Sequence, residues 1–297
     1  MKLLFLLLSS LISFDIFAAS CCVSNTSVSN LMIQPAKWQE TVSVSHARVI
    51  GDANEKGSST FRQSSNKEIT QLVRLDLAYG WSPRYQSGVS IKYQNKERDF
   101  SGSESNDTGW NDIGLSQAFR PKTLDRLWFF QTLNIPTARS LYNTQSSFAV
   151  DAHGTGTYLT SFGVFGIHNV KEWDFVYSSE VHHSFARTFD NNNTETEIGS
   201  FWGSSLTGGV GFIPWRSKAR YGLAITPRLE GGKDVVINGI ENSGRESLVW
   251  DTSLNFTYTI SASNALGFNY TDQTILGPVK NTLLNRALSF QFQSRWL

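Results

Sequence analysis

The chain has 297 residues, 40% hydrophobic, 13% aromatic and 17% charged, and its 26 Lys+Arg against 25 Asp+Glu leave a formal charge of +1. That balance excludes a basic surface for wrapping nucleic acid, and the polarity excludes a bundle of transmembrane helices, each of which needs about 20 consecutive apolar residues. Charge is below the roughly 25% of ordinary globular domains, yet 20 Phe, 9 Trp and 9 Tyr are present, so something other than water is expected to face many of the rings.

Lys2 precedes an apolar run from Leu3 to Phe17 that closes on Ala18-Ala19-Ser20. A basic start, a short apolar core and small residues at the end are the signature of a secretory signal peptide, here residues 1–20. The box Ala18-Ala19-Ser20-Cys21 also resembles a lipoprotein cleavage site, so acylation of Cys21 stays open beside ordinary cleavage. Cys21 and Cys22 are adjacent and are the only cysteines, which excludes a disulfide framework and makes a poor tetrahedral metal site. Residues 21–37 read as a periplasmic N-terminal segment.

From Trp38 onward, apolar and polar residues alternate with period two, the pattern of strands with one greasy and one wet face. Leu248, Trp250, Leu254, Phe256, Tyr258 and Ile260 share a face with only Thr252 between them. In the same way Ile69, Val73, Leu75, Leu77, Tyr79 and Trp81 oppose Thr70, Arg74, Asp76 and Ala78. Twelve such segments follow in chain order, near 38–51, 67–81, 86–98, 110–120, 127–137, 155–167, 173–187, 197–213, 219–231, 246–260, 264–275 and 283–297. Their lengths exceed the soluble mode of about five or six residues and suit a tilted membrane strand of about nine to eleven.

Connections alternate short and long. Short turns fall at 82–84, 121–125, 168–171, 214–218 and 261–263, and long ones, rich in Ser, Asn, Gly and Asp, at 53–66, 99–109, 138–154, 188–196 and 232–245. An even number of strands with short turns at one end and long loops at the other predicts an all-β, antiparallel, up-and-down transmembrane barrel of about twelve strands over residues 38–297. Lipid cannot satisfy backbone N–H and C=O groups, so such a sheet closes on itself, greasy outside and polar inside. Both termini then lie at the short-turn, periplasmic end, and the long loops are extracellular. Trp38, Trp81, Tyr85, Trp110, Trp173, Trp202, Trp215, Tyr221 and Trp296 recur beside turns, as interfacial girdles require.

The closing run Leu288-Ser289-Phe290-Gln291-Phe292-Gln293-Ser294-Arg295-Trp296-Leu297 resembles the C-terminal assembly signal of Gram-negative outer-membrane barrels. It departs from that signal in ending on Leu297, with the aromatic penultimate. The signal peptide, the strand Trp110-Asn111-Asp112-Ile113-Gly114-Leu115-Ser116 and the repeated hairpins resemble the outer-membrane transporters grouped with the phenol meta-degradation pathway. These resemblances imply a cell-outer-membrane location, assembly through the last strand by the barrel-insertion machinery, and transport of small molecules.

By the alternation, Arg74, Asp76, Lys92, Asp112, Arg120, Asp174, Glu180, His182, Arg220, Arg228, Glu230 and Asp251 point inward. They form either a self-compensating polar lining or a selectivity lining for a small solute. The expected partners are outer-membrane lipid, the assembly machinery and a solute; no nucleic-acid, metal or cofactor motif is expected, and the barrel reads as a monomer. The rival reading is an outer-membrane enzyme of phospholipase type, in which His182 would take a proton from Ser184 with Asn191, Asn192 or Asn193 orienting the ring. The motif differs, since Phe185-Ala186 follows where that family has Asn-Gly. A surface-binding role through the long loops is the third reading. Asp151 and His153 stand together in one loop, which is too little for a protease. Gly208-Gly209-Val210-Gly211 lacks the Lys-Ser/Thr of a phosphate loop and reads as a place for close backbone approach.

Overall fold

The computed structural model describes residues 37–296 apart from 64, 147, 192 and 193; the signal segment, Cys21, Cys22 and Leu297 lie outside the described residues. Twelve staves form the ring: β1 (Trp38–Ala53), β2 (Lys67–Ser82), β3 (Tyr85–Phe100), β4 in two segments (Ser103–Trp110 and Ile113–Phe119), β5 (Leu127–Ile135), β6 (Leu159–Val170), β7 (Trp173–Ser184), β8 (Phe201–Phe212), β9 (Ala219–Glu230), β10 (Ser247–Thr259), β11 (Asn264–Asp272) and β12 (Thr282–Trp296). Each pairs antiparallel with its chain neighbours. The last closes on the first, from Trp38 opposite Trp296 to Ala53 opposite Thr282, with a bulge between Val49 and Gly51. Among the described residues the ring itself has no free edge.

The period-two pattern explains which way the wall faces. In β7, Trp173, Phe175, Tyr177 and Val181 are exposed while Asp174, Val176, Ser178 and Glu180 between them are buried. The same polarity runs round the ring and leaves Phe162 56%, Leu206 59% and Phe290 54% exposed on the outer face. A continuous apolar band of that kind is a surface made for hydrocarbon. Aromatic contacts bound it at both ends: Trp38 on Tyr79 at 4.6 Å and Trp173 on Phe212 at 4.9 Å by the short turns, Tyr93 on Trp110 at 5.1 Å and His183 on Trp202 at 4.3 Å toward the long loops.

Three features depart from the sequence expectation. Residues 99–109, expected as a loop, continue the hairpin of β3 and β4, with Phe100 opposite Ser103 and a turn through Ser101 and Gly102 at φ 55° and 87°. Apart from Phe100 its side chains are polar or glycine on both faces, so no alternation of apolar and polar residues marks it. Parts of the stretches expected as loops at 188–196 and 232–245 also form strands: Arg187–Asn191, Thr194–Ile198, Val235–Ile237 and Ile240–Asn242 build a separate four-stranded sheet off the rim. Finally, the inner face is not uniformly polar. Ala118, Trp128, Phe130, Phe165 and Val176 from β4 to β7 form one buried apolar cluster. Inward side chains that cover one another are spared contact with water, so the rule of a polar interior does not bind them. The signal was present in Leu127-Trp128-Phe129-Phe130, where both faces of a strand are apolar at once.

Candidate functional site

Ion pairs stud the inner wall. Arg220 of β9 reaches across β8 to Asp174 of β7 in a two-pronged contact, Nε to Oδ2 at 2.6 Å and Nη2 to Oδ1 at 2.5 Å. Gly211 of β8 lies beneath, and a Cβ there would stand 2.2 Å from the guanidinium. His182 and Glu230 make a second bridge across the same strand at 2.7 Å, over Gly203. The inward glycines of β8 are therefore the floor on which charges of its two neighbours meet. Arg228 lies 3.0 Å from Asp251, which also accepts from the Gln273 amide at 2.7 Å. These groups border a recess of about 160 Å³ together with Thr271, Asn285 and Ala287. On the other side of the ring Arg74 bonds Asp76 at 2.9 Å, and Lys92 is its register partner on β3. Glu180 is buried on the inward face of β7. Arg120 sits just past β4 at the short-turn rim, donating to the Pro83 carbonyl and lying 5.1 Å over the Trp128 ring.

The connection 136–158 is unlike the others, because it folds against the inward side chains of β3, β4 and β7. Asp112 holds both its ends: its carboxylate accepts from the Ala138 amide at 3.1 Å, the Thr155 amide at 2.7 Å and the Thr155 hydroxyl at 2.8 Å. Lys96 donates to the Ala152 carbonyl, and Arg98 to that of Phe148 at 2.5 Å. His153 bridges Gln94 at 2.9 Å and Asp107 at 2.8 Å, and Thr157 shares a hydrogen bond with Ser184 at 2.7 Å. The break in β4 at Asn111–Asp112 makes this possible. Gly109 and Gly114 both face inward, so an extra residue lies between them, and Asn111 as well as Asp112 turns in; Asn111 reaches Gln94 at 2.9 Å. Re-aiming a side chain is what bulges do.

Within the connection Asp151 is the organising group. It accepts from Arg139 at 2.8 Å, from the amides of Gln145 at 2.8 Å and Ser146 at 3.4 Å, and from the Thr144 hydroxyl. Burial works against its ionisation, but these bonds outweigh burial and hold the carboxyl well below the usual carboxylate range.

Ser184 and His182 share the inward face of β7, as the alternation implies, yet they do not form a catalytic pair. The Ser184 hydroxyl is committed to Thr157, and the His182 Nε2 to Glu230. His183 faces outward against Phe185 and Trp202 as part of the aromatic belt. Sequence reasoning missed Lys96, Arg98 and Asp107 as wall groups. The signal was available for two of them: Lys92, Gln94, Lys96 and Arg98 continue one period-two series.

No family model matches the sequence, and no curated protein matches it. The fold does find relatives. It is similar to a COG4313 outer membrane channel from Pseudomonas putida F1, with a TM-score of 0.66 and 14% identity over 87% of this chain and 95% of that one. The fold is that of an outer-membrane β-barrel. The β domain of the Bordetella autotransporter BrkA matches at TM-score 0.51 and 9% identity, over 88% of this chain and 100% of that one. The translocator domain of the autotransporter NalP from Neisseria meningitidis matches at 0.50 and 10%, over 89% and 90%. By their names these are a channel, the β domain of one autotransporter and the translocator domain of another, and at such identities the likeness is one of fold.

Proposed function

We propose that this chain is an outer-membrane channel that passes small solutes through its lumen, without a cofactor and as a single barrel. One observation carries the reading: a closed ring of strands keeps an inner wall of ion pairs and hydrogen-bonding groups while one long connection turns into it and narrows it at the long-loop end. In this reading residues 1–20 are a removed signal, 21–37 a periplasmic segment and 38–297 the barrel. The short turns face the periplasm, the insertion machinery reads β12, and the solute path is lined by Arg74, Asp76, Lys92, Asp112, Asp174, Glu180, His182, Arg220, Arg228, Glu230 and Asp251, with Arg120 at its periplasmic mouth. The mixed signs along that path favour polar or amphipathic solutes over strong selection for one charge. The similarity of fold to an outer-membrane channel supports the assignment.

Planar-bilayer recording of the refolded chain tests it. Discrete conductance steps are expected. Silence across a range of salts, from protein whose heat-modifiable migration shows a folded barrel, would rule the open channel out. A second reading, surface binding through the loops, draws on the sheet of Arg187–Asn191, Thr194–Ile198, Val235–Ile237 and Ile240–Asn242, which exposes Ile237 and Ile240. Deleting that sheet separates the two: conductance should survive and surface binding should not.

A further inference from the structure

The outer face carries one anomaly. On β1 the outward series runs Trp38, Glu40, Val42, Val44 and then His46 and Arg48, both exposed. On β12 it runs Trp296, Ser294, Phe292, Phe290, Leu288 and then Arg286, also exposed. Arg48 and Arg286 are direct register partners, as are Trp38 and Trp296. Like charges placed directly opposite one another on a sheet repel. Here the only carboxylate in the group is Asp272, which holds Arg286 at 2.7 Å and accepts from the Tyr270 hydroxyl at 2.9 Å. Arg48 has no hydrogen bond or ion pair among the described residues. His46, set against Leu288 and Gln71, adds a third group able to carry positive charge.

Depth locates the cluster. A strand residue rises about 3.3 Å, and at a tilt of about 40° ten residues cover about 25 Å of bilayer, the height of the apolar band of such barrels. Arg48 is ten residues beyond Trp38, and Arg286 ten before Trp296. The two arginines therefore stand one band height above the girdle at the short-turn end, at the level where Trp110 and Trp202 mark the opposite interface elsewhere on the ring. Along this seam cations stand at that level. Directly below them the wall is greasy, with Val44 50% and Phe290 54% exposed as a register pair.

We infer that the seam between the first and last strands binds a phosphorylated glycolipid of the outer leaflet, of the lipid A type. One phosphate lies between Arg48 and Arg286 and removes their repulsion, while acyl chains lie on Val42, Val44, Phe290 and Phe292. Two guanidinium groups with a single, already engaged carboxylate match a headgroup bearing more than one negative charge. The inference rests on the outer-membrane location proposed above, and is independent of whether the lumen conducts.

The full chain, held in mild detergent, is titrated with bisphosphorylated lipid A, with dephosphorylated lipid A and with phosphatidylglycerol, and bound lipid is read by native mass spectrometry. Bisphosphorylated lipid A should bind about tenfold or more tighter than the dephosphorylated form, and Arg48→Gln with Arg286→Gln should erase that preference while heat-modifiable migration stays unchanged. Should the double variant fail to fold, Arg48→Gln alone breaks no ion pair and carries the test. Equal binding of the two lipid A forms, or a preference untouched by either variant, overturns the site. Phosphatidylglycerol binding as tightly as lipid A overturns the glycolipid assignment. Recovery of the chain outside the outer-membrane fraction would instead count against the location, whatever the titration shows.

Discussion

Two sets of long connections end in opposite places. The connection 136–158 turns into the barrel, whereas those at 185–200 and 231–246 stand off the rim and pair with each other, Glu197 opposite Val236. The difference lies in what each sequence can satisfy locally. Thr194-Glu195-Thr196-Glu197-Ile198 alternates with a period of two and Val235-Val236-Ile237 is β-branched throughout, so both are strand formers whose backbone groups find partners in a small sheet of their own. Among its described residues the inward connection has one short helical turn at Leu141–Asn143 and isolated turn bonds such as Ala149 to Ser146, and Asp151 gathers part of its backbone. The carbonyls of Phe148 and Ala152 are left to Arg98 and Lys96 on the wall. A loop enters the lumen when the wall supplies donors that the loop itself lacks.

The largest effect that would test this contrast is expected from Asp112→Ala, which removes the acceptor of three hydrogen bonds at both ends of the inward connection. Hydrogen bonds to a charged group contribute about 1.5–3 kcal/mol each, so the connection should leave the wall. Single-channel conductance should rise by roughly twofold or more if that loop is the constriction. An unchanged conductance from a folded barrel would mean that the loop does not set the pore.

Val236→Pro strikes the outer sheet instead. It removes a ladder amide between Thr194–Ile198 and Val235–Ile237 and leaves its acceptor unpaired, at a local cost of about 1–3 kcal/mol. Limited proteolysis should then cut that sheet while conductance stays at the wild-type value. A conductance change here would join two regions described above as separate.

Acidification is expected to act more gently, and through Asp151. Its pKa is depressed in the folded state, so its stabilisation is fully present above the unfolded value of about 4 and is lost as pH falls from there toward the native pKa. Corrected for the intrinsic pH dependence of exchange, the protection of the Gln145 and Ser146 amides should be unaltered between neutral pH and pH ~5, and their corrected exchange should quicken only below about 4. Quickening near neutrality would show that another group governs the loop. The smallest change is expected from Ile240→Ser: the side chain is 69% exposed at the tip of the outer sheet, and such sites move stability by about 0.5 kcal/mol or less. Equilibrium unfolding by urea in detergent measures it.

Much of the architecture can be read from β7 alone. The burial of Trp173 to Val181 alternates throughout, with inward Val176 and outward Ser179 the two side chains that break the greasy-outside pattern, and the inward positions of Asp174, Glu180 and His182 follow from counting by two. Arg220, Arg228 and Glu230 follow in the same way on β9. Their partners do not. His182 meets Glu230, 48 residues away, and Arg220 meets Asp174, 46 residues away, because β8 between them offers glycines at the crossing points. Asn111 and Asp112 show the limit most plainly, since strict alternation would send one of these neighbours outward. The inward turn of both needs an extra residue in the ladder, which no period announces. Ser184, a plausible nucleophile by its spacing from His182, proves to be a fastening for Thr157.

The amino-acid sequence by itself determined that there are twelve staves, which of their faces is greasy, and at which end the short turns lie. Those properties follow from local side-chain patterning, and each segment expresses them whatever its neighbours do. Tertiary structure alone decided which loop enters the lumen, which charges neutralise one another, and that an apolar patch survives on the inner wall between β4 and β7. Such outcomes depend on groups that are far apart along the chain and become neighbours only once the ring has closed.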